Sequence, residues 1–284
     1  MLSQNKQQIS LILCFFLASG IVFAQQKKKQ TNKGKMFVYW GWNRANYSDS
    51  DIHFKGENYD FTLSNVKAKD KVTRFSFYDY FHPTRITIPQ TNVRVGYFFH
   101  ENYTISIGVD HMKYVMTSYP YQRVKINGVI NTGGKFDNNY NNDDLILSNE
   151  FLLFEHTDGL NYVNVELKRF DDLSYLIGLN DPYVSINLTE GFGVGFLYPK
   201  TNATLFENER YDDFNVAGWG VSASIGLNIT FLKHFFVQSD FKYGFINMPN
   251  IRTTKDKVDS ASQKFTFFER TLVFGARFNI LNKK

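Results

Sequence analysis

The sequence predicts an all-β protein: an antiparallel, up-and-down transmembrane β-barrel of eight strands, with ten as the alternative and both termini periplasmic. Three observations lead there. Several long segments alternate apolar with polar or small residues, the period of a strand that has one lipid-facing and one water-facing side. Aromatic residues make up 17% of the 284-residue chain, yet mean hydropathy is −0.32 and no apolar run reaches the ~18 residues of a spanning helix. The last element, Lys264 to Ile280, is a long alternating strand placed to close against the first, in a chain that opens like an exported protein.

At the N-terminus, Lys6 precedes an apolar run from Leu11 to Phe23 that ends in Val22-Phe23-Ala24, so residues 1–24 read as a secretory signal peptide. The only cysteine, Cys14, lies inside it, which leaves the remaining chain without a disulfide, a thiolate metal site or a cysteine nucleophile. Residues 25–35 read as a basic periplasmic tail. The formal net charge of +5 comes from Lys6 and from Lys27, Lys28, Lys29, Lys33 and Lys35; residues 36–284 are left at −1, so the composition argues against nucleic acid as a partner.

Residues 36–284 hold the barrel. Met36 to Tyr47 is the first strand, with aromatics on both parities and its facing left open. Residues 48–86 form a long outer loop with a short alternating piece at Tyr59 to Leu63, ending in aromatic density from Phe75 to His82 that suits the barrel rim. Thr87 to Phe99 and Tyr103 to Val115 make a hairpin around His100-Glu101-Asn102, with Val93, Val95, Tyr97, Ile105 and Ile107 facing out. Residues 116–159 form a second long outer loop, polar at NTGGKFDNNYNNDD, with strand-like pieces at Gln122 to Ile130 and Leu145 to Glu155. Further strands run from Leu160 to Phe170, Tyr183 to Tyr198, Phe214 to Phe231 (Ala217, Trp219 and Val221 facing lipid) and Phe235 to Ile246.

Eight charged residues fall on inner faces: Arg94, Asp110, Glu166, Lys168, Asp240, Lys242, Glu269 and Arg277. In an eight-stranded barrel the interior is just wide enough for side chains to fill it, so they are expected to pair as a polar core. Among the histidines, His82, His111 and His156 are candidates for catalysis, the last within Glu155-His156-Thr157-Asp158. No H-x-x-x-H or H-E-x-x-H spacing occurs, so neither a metal nor another cofactor is expected.

The hairpin NVRVGYFFHENYTISIGVDHMKY and the closing strand TLVFGARFNI resemble those of the small outer-membrane β-barrel proteins of Bacteroidota, whose architecture is similar to the OmpA and OmpX type. The resemblance implies an outer-membrane protein that contacts lipids and lipopolysaccharide and is inserted by the barrel-assembly machinery through its C-terminal strand. Its loops would serve surface contact with an extracellular partner, or envelope integrity. Lipid A deacylases and palmitoyl transferases share the small-barrel shape, so an outer-leaflet lipid-modifying enzyme is the alternative. The deacylase His-x-Ser pattern is missing, however: Met112-Lys113 follow His111 and Pro83-Thr84 follow His82. Passive uptake of small apolar molecules is a third reading.

Overall fold

The computed structural model describes residues 32–85, 88–117, 122–206 and 209–279. The expected signal peptide, residues 25–31 of the expected tail and Ile280 lie outside them. In chain order the strands are β1 Lys35–Tyr47, β2 Ser50–Lys55, β3 Tyr59–Val66, β4 Ala68–Lys69, β5 Thr91–Phe98, β6 Tyr103–Met116 and β7 Arg123–Ile130. They continue as β8 Asn138–Ile146, β9 Leu152–Asp172, β10 Val184–Leu197, β11 Asn202–Leu205, β12 Gly218–Phe231, β13 Phe235–Arg252 and β14 Ser260–Asn279. A short α-helix, α1, spans Phe77–Phe81.

Eight strands close a ring in the order β1-β5-β6-β9-β10-β12-β13-β14, every neighbour antiparallel. Closure is by β14 on β1, in register from Lys35 opposite Asn279 to Tyr47 opposite Phe267. The wall therefore has eight strands and not ten. Its outer side is an apolar belt of exposed side chains, among them Val95, Ile107, Val165, Leu167, Val194, Ile225, Leu227, Leu272 and Phe274. Aromatic pairs border the belt: Phe99 with Tyr103 at the end of the short turns, Tyr198 with Phe214 and Trp219 with Phe245 at the end of the long connections. A closed antiparallel ring leaves no backbone edge facing lipid, and the belt with its aromatic borders makes this a membrane-spanning barrel.

The segments expected as outer loops carry structure of their own. β2, β3, β7 and β8 form a sheet that grows from the loop end of β14, where Ser260 to Gln263 pair with Lys55 to Ile52. β4 adds to β6 and β11 to β9. The pieces at Tyr59 to Leu63 and Gln122 to Ile130 thus exist, within β3 and β7, but leave the wall because each has one apolar face that packs over the barrel mouth. Leu145 to Glu155, by contrast, is not one strand: it is broken by a turn after β8 and its end opens the wall strand β9. Ile52, Phe54, Phe61, Leu63, Val124 and Ile126 join Tyr114, Phe151, Phe154, Met248 and Phe265 in one buried cluster. Ala217, expected to face lipid, belongs to this cluster as well; it precedes β12, so its parity is no longer set by the ladder. The result is a dome of sheet and loops over one end of the barrel.

Candidate functional site: the barrel interior and the dome

Below the dome the interior is polar, and the inward parity of the sequence decides which groups meet. Arg94 donates from Nε to the Tyr39 hydroxyl (2.9 Å) and from Nη2 to Asn164 Oδ1 (2.7 Å), with Asp110 at 3.6 Å. Asp110 accepts from Asn92 (2.7 Å), Asn164 (3.1 Å) and Lys242 Nζ (2.5 Å), and Lys242 also faces Glu269 at 3.6 Å. On the other side Lys168 lies 2.9 Å from Asp240 and 3.4 Å from Glu166. A Cβ on inward-facing Gly191 would come within 2.9 Å of Lys168 Cε, so glycine there makes room for the lysine. Asp240 is further held by Thr189 and Gln238.

Arg277 is set apart from the ion pairs. Its guanidinium lies 5.0 to 5.2 Å from the ring centres of Phe98, Phe170 and Phe236 and donates to Asn228 (2.9 Å), which donates in turn to Gln238. With Phe37 and Tyr39 these rings form a second apolar cluster at the turn end. The eight charged residues read from the sequence are all buried, four cations balancing four carboxylates. From turn end to loop end the barrel is filled by an aromatic layer, a charged layer and the apolar base of the dome.

The three candidate histidines are not brought together. His82 follows α1, with Nδ1 3.0 Å from Thr84 Oγ1. His111 occupies an outward position of β6 but is covered, and its Nδ1 is 2.7 Å from Asn161 Oδ1. His156 is not on a loop: it sits on β9 above the apolar belt, fully buried between Tyr114 and Phe154, and burial pushes its pKa down to about 3. Its neighbours by sequence point elsewhere, Glu155 to Asn202 and Thr157, Asp158 to Lys200 and Arg210. Alternation turns Glu155 to the opposite side, and the irregularity in the ladder between His156 and Leu160 leaves Asp158 exposed, so the acid–base pairing suggested by adjacency does not form. No cluster of three or more His, Cys, Asp or Glu placed to hold a metal occurs among the described residues.

The dome tip carries a feature that the sequence did not announce. A cleft of about 530 Å³ opens between the β2–β3 turn, the β7–β8 turn and the β13–β14 loop, lined by Glu57, Tyr59, Lys135, Phe136, Phe206, Asp256 and Asp259 among others. The β7–β8 turn is shaped by Asp137, whose carboxylate accepts from the backbone N–H of Thr132 (2.8 Å) and Gly133 (2.7 Å). Although desolvation opposes it, these donors hold the Asp137 carboxyl below its ordinary range. Burial raises the Tyr59 hydroxyl, which lies beside Thr253 and Asp259. Carboxylates, an ammonium and aromatic faces around an open cleft suit recognition of a polar ligand or surface and supply no nucleophile–base pair. Only the Gly133-Gly134 turn signal was legible beforehand; the other walls come from segments far apart in the chain.

No protein-family model matches the chain, and no curated protein matches it. Solved structures with a similar course of the chain include the outer membrane protein OprG from Pseudomonas aeruginosa, at 11% identity and a TM-score of 0.40, covering 89% of this chain and 100% of that one. The outer membrane protein AlkL is 12% identical with a TM-score of 0.40, covering 93% and 99%. Ail, the attachment invasion locus protein of Yersinia pestis, is 12% identical with a TM-score of 0.32, covering 87% and 99%. At this distance they say nothing about activity, and the barrel is established by its own hydrogen-bonded ring and belt.

Proposed function

We propose that this chain is an integral outer-membrane β-barrel of the small Bacteroidota kind, exported by residues 1–24, whose filled interior is scaffolding and whose dome is the working part. The dome faces the surroundings and presents its tip cleft to an extracellular protein or surface, or contributes to envelope integrity. Lipid and lipopolysaccharide surround the wall, and the barrel-assembly machinery receives the chain through its last strand. The observation that carries this reading is the combination of an apolar belt with an interior occupied along its length, which leaves only the dome for contact. A lipid-modifying activity is not favoured, since the three histidines stand apart and are hydrogen-bonded to Thr84, Asn161 and Thr201. Passive uptake is not favoured, since buried side chains occupy the interior along its length.

The test uses intact cells. A cysteine at Asn139 on β8 is expected to react with a membrane-impermeant maleimide on whole cells, and one at Glu101 only after lysis; the reverse pattern would overturn the orientation. Lipid A mass spectra with and without the gene are expected to be identical, and a difference of one acyl chain would restore the enzyme reading.

A further inference from the structure

Residues 71–85 do not rise into the dome. Thr73 Oγ1 and Lys113 Nζ both donate to the carbonyl of Ile88, at 2.8 and 2.5 Å, and Lys113 is an outward position of β6, so the segment lies along the outside of the wall. α1 is fixed to that wall by aromatic packing. Phe81 meets Trp42 at 5.2 Å and Trp40 at 6.3 Å, Tyr80 meets Trp42 at 5.5 Å, and Trp42 in turn meets Phe274 of the apolar belt at 6.0 Å. The helix is capped by Ser76, which accepts from the Asp79 N–H at 3.0 Å, and is tied down by Tyr80, whose hydroxyl accepts from Arg44 and donates to the Thr73 carbonyl.

What this anchoring leaves outside is a contiguous apolar patch. Phe77 is 76% exposed, Phe75 61%, Tyr78 59% and Phe81 51%, with Val72 beside them. Such a patch marks an interaction surface. Three features select its occupant. The patch continues the lipid-facing belt through Trp40, Trp42 and Phe274. It sits at the loop end, at the level of the bordering aromatics. Its rim offers one uncompensated cation: Arg74 makes no ion pair among the described residues, whereas Lys71 faces Glu155 at 3.5 Å and Arg85 pairs with Asp79, the helix's one acid, at 2.8 Å.

We propose that α1 and its flanks are an in-plane anchor in the outer leaflet, with Phe75, Phe77 and Phe81 among the acyl chains and Arg74 at the level of the lipid phosphates. This rests on the barrel spanning a bilayer, which the same experiment reads separately. Full-length protein is refolded into vesicles of phosphatidylcholine with phosphatidylglycerol, carrying a spin label at Phe77→Cys, at Phe192→Cys on the belt, or at Asn139→Cys on β8. Accessibility to oxygen and to a water-soluble nickel chelate is then measured for each.

The label at residue 77 is expected to resemble that at 192, rich in oxygen and shielded from nickel. If it resembles 139 while 192 is in lipid, the anchor is overturned; if 192 itself is aqueous, the bilayer-spanning reading fails instead. Dipolar broadening between labels at 77 would show a second copy on the patch and would also overturn it. Arg74→Glu is expected to shift the residue 77 label toward nickel accessibility in these vesicles and not in phosphatidylcholine alone; no shift would remove Arg74 from the phosphate contact. Phe77 is largely exposed and its ring packs on Phe75 and Phe81 of the same segment, not on the barrel wall, so its replacement leaves the barrel intact.

Discussion

Lys242 is the residue on which one half of the interior turns, because it stands between Asp110 and Glu269 while Asp110 also holds Arg94. Replacing it with methionine keeps most of the volume but leaves two carboxylates without their shared cation. Lys242→Met is expected to cost roughly 3–5 kcal/mol, the usual penalty for orphaning a buried charge, read as a lower denaturant midpoint of the refolded barrel. His156 sets a pH dependence in the dome. With its pKa pushed from 6.5 down to about 3, the unfolded chain binds a proton between those values that the folded dome refuses. Stability from this group is therefore complete above the unfolded value and falls as pH drops toward 3, with a slope of at most about 1.4 kcal/mol per pH unit. His156→Gln is expected to flatten the acid limb of a plot of unfolding midpoint against pH; an unchanged slope would assign the limb to other groups.

Among the elements, the wall strands were legible, and of the dome strands only β3 and β7 showed as strand-like pieces; the reason is what each strand buries. In β5, β6 and β12 one side meets lipid and the other the polar core, so alternation names both sides at once. β1 resisted because Phe37 and Tyr39 enter the aromatic layer inside while Trp40 and Trp42 stand outside, and both sides look alike in sequence. β8 buries little: Tyr140 and Leu145 lie half-buried against the dome cluster, its Asn and Asp side chains are mostly exposed, and it is held by its ladder with β7 and a Lys125–Asp144 pair. That ladder depends on a bulge at Gly128, where φ is +126° and a Cβ would collide with the Asp60 carbonyl. Gly128→Val is expected to cost roughly 1–3 kcal/mol in strain and to open β7–β8. Limited proteolysis should then cut between residues 122 and 150 while the barrel keeps its resistance to detergent; equal resistance in the dome would show that the bulge is dispensable.

For the molecule as a whole, the eight-stranded wall and the facing of most of its strands followed from periodicity, whereas the facing of β1, the dome, its tip cleft and the covered histidines depended on packing and on pairings between distant segments that no local pattern encodes. A charge is not distributed along such a chain by position but by layer, and the barrel reads as three layers stacked under a lid. Vesicles carrying the protein are accordingly expected not to swell in small sugars; swelling would mean that the layers part. β14 serves both storeys: its lower length pairs with β1 and its upper end with β2, and β1 and β2 are separated by only Ser48 and Asp49. One strand thus zips the wall and then, without interruption, the lid, which imposes an order in time. Amide protection in β2 and β3 should appear together with or after protection in β1 and β14, and never before it. A chain stalled before closure would expose the apolar lining of its own lid, the state that quality-control proteases are best placed to remove.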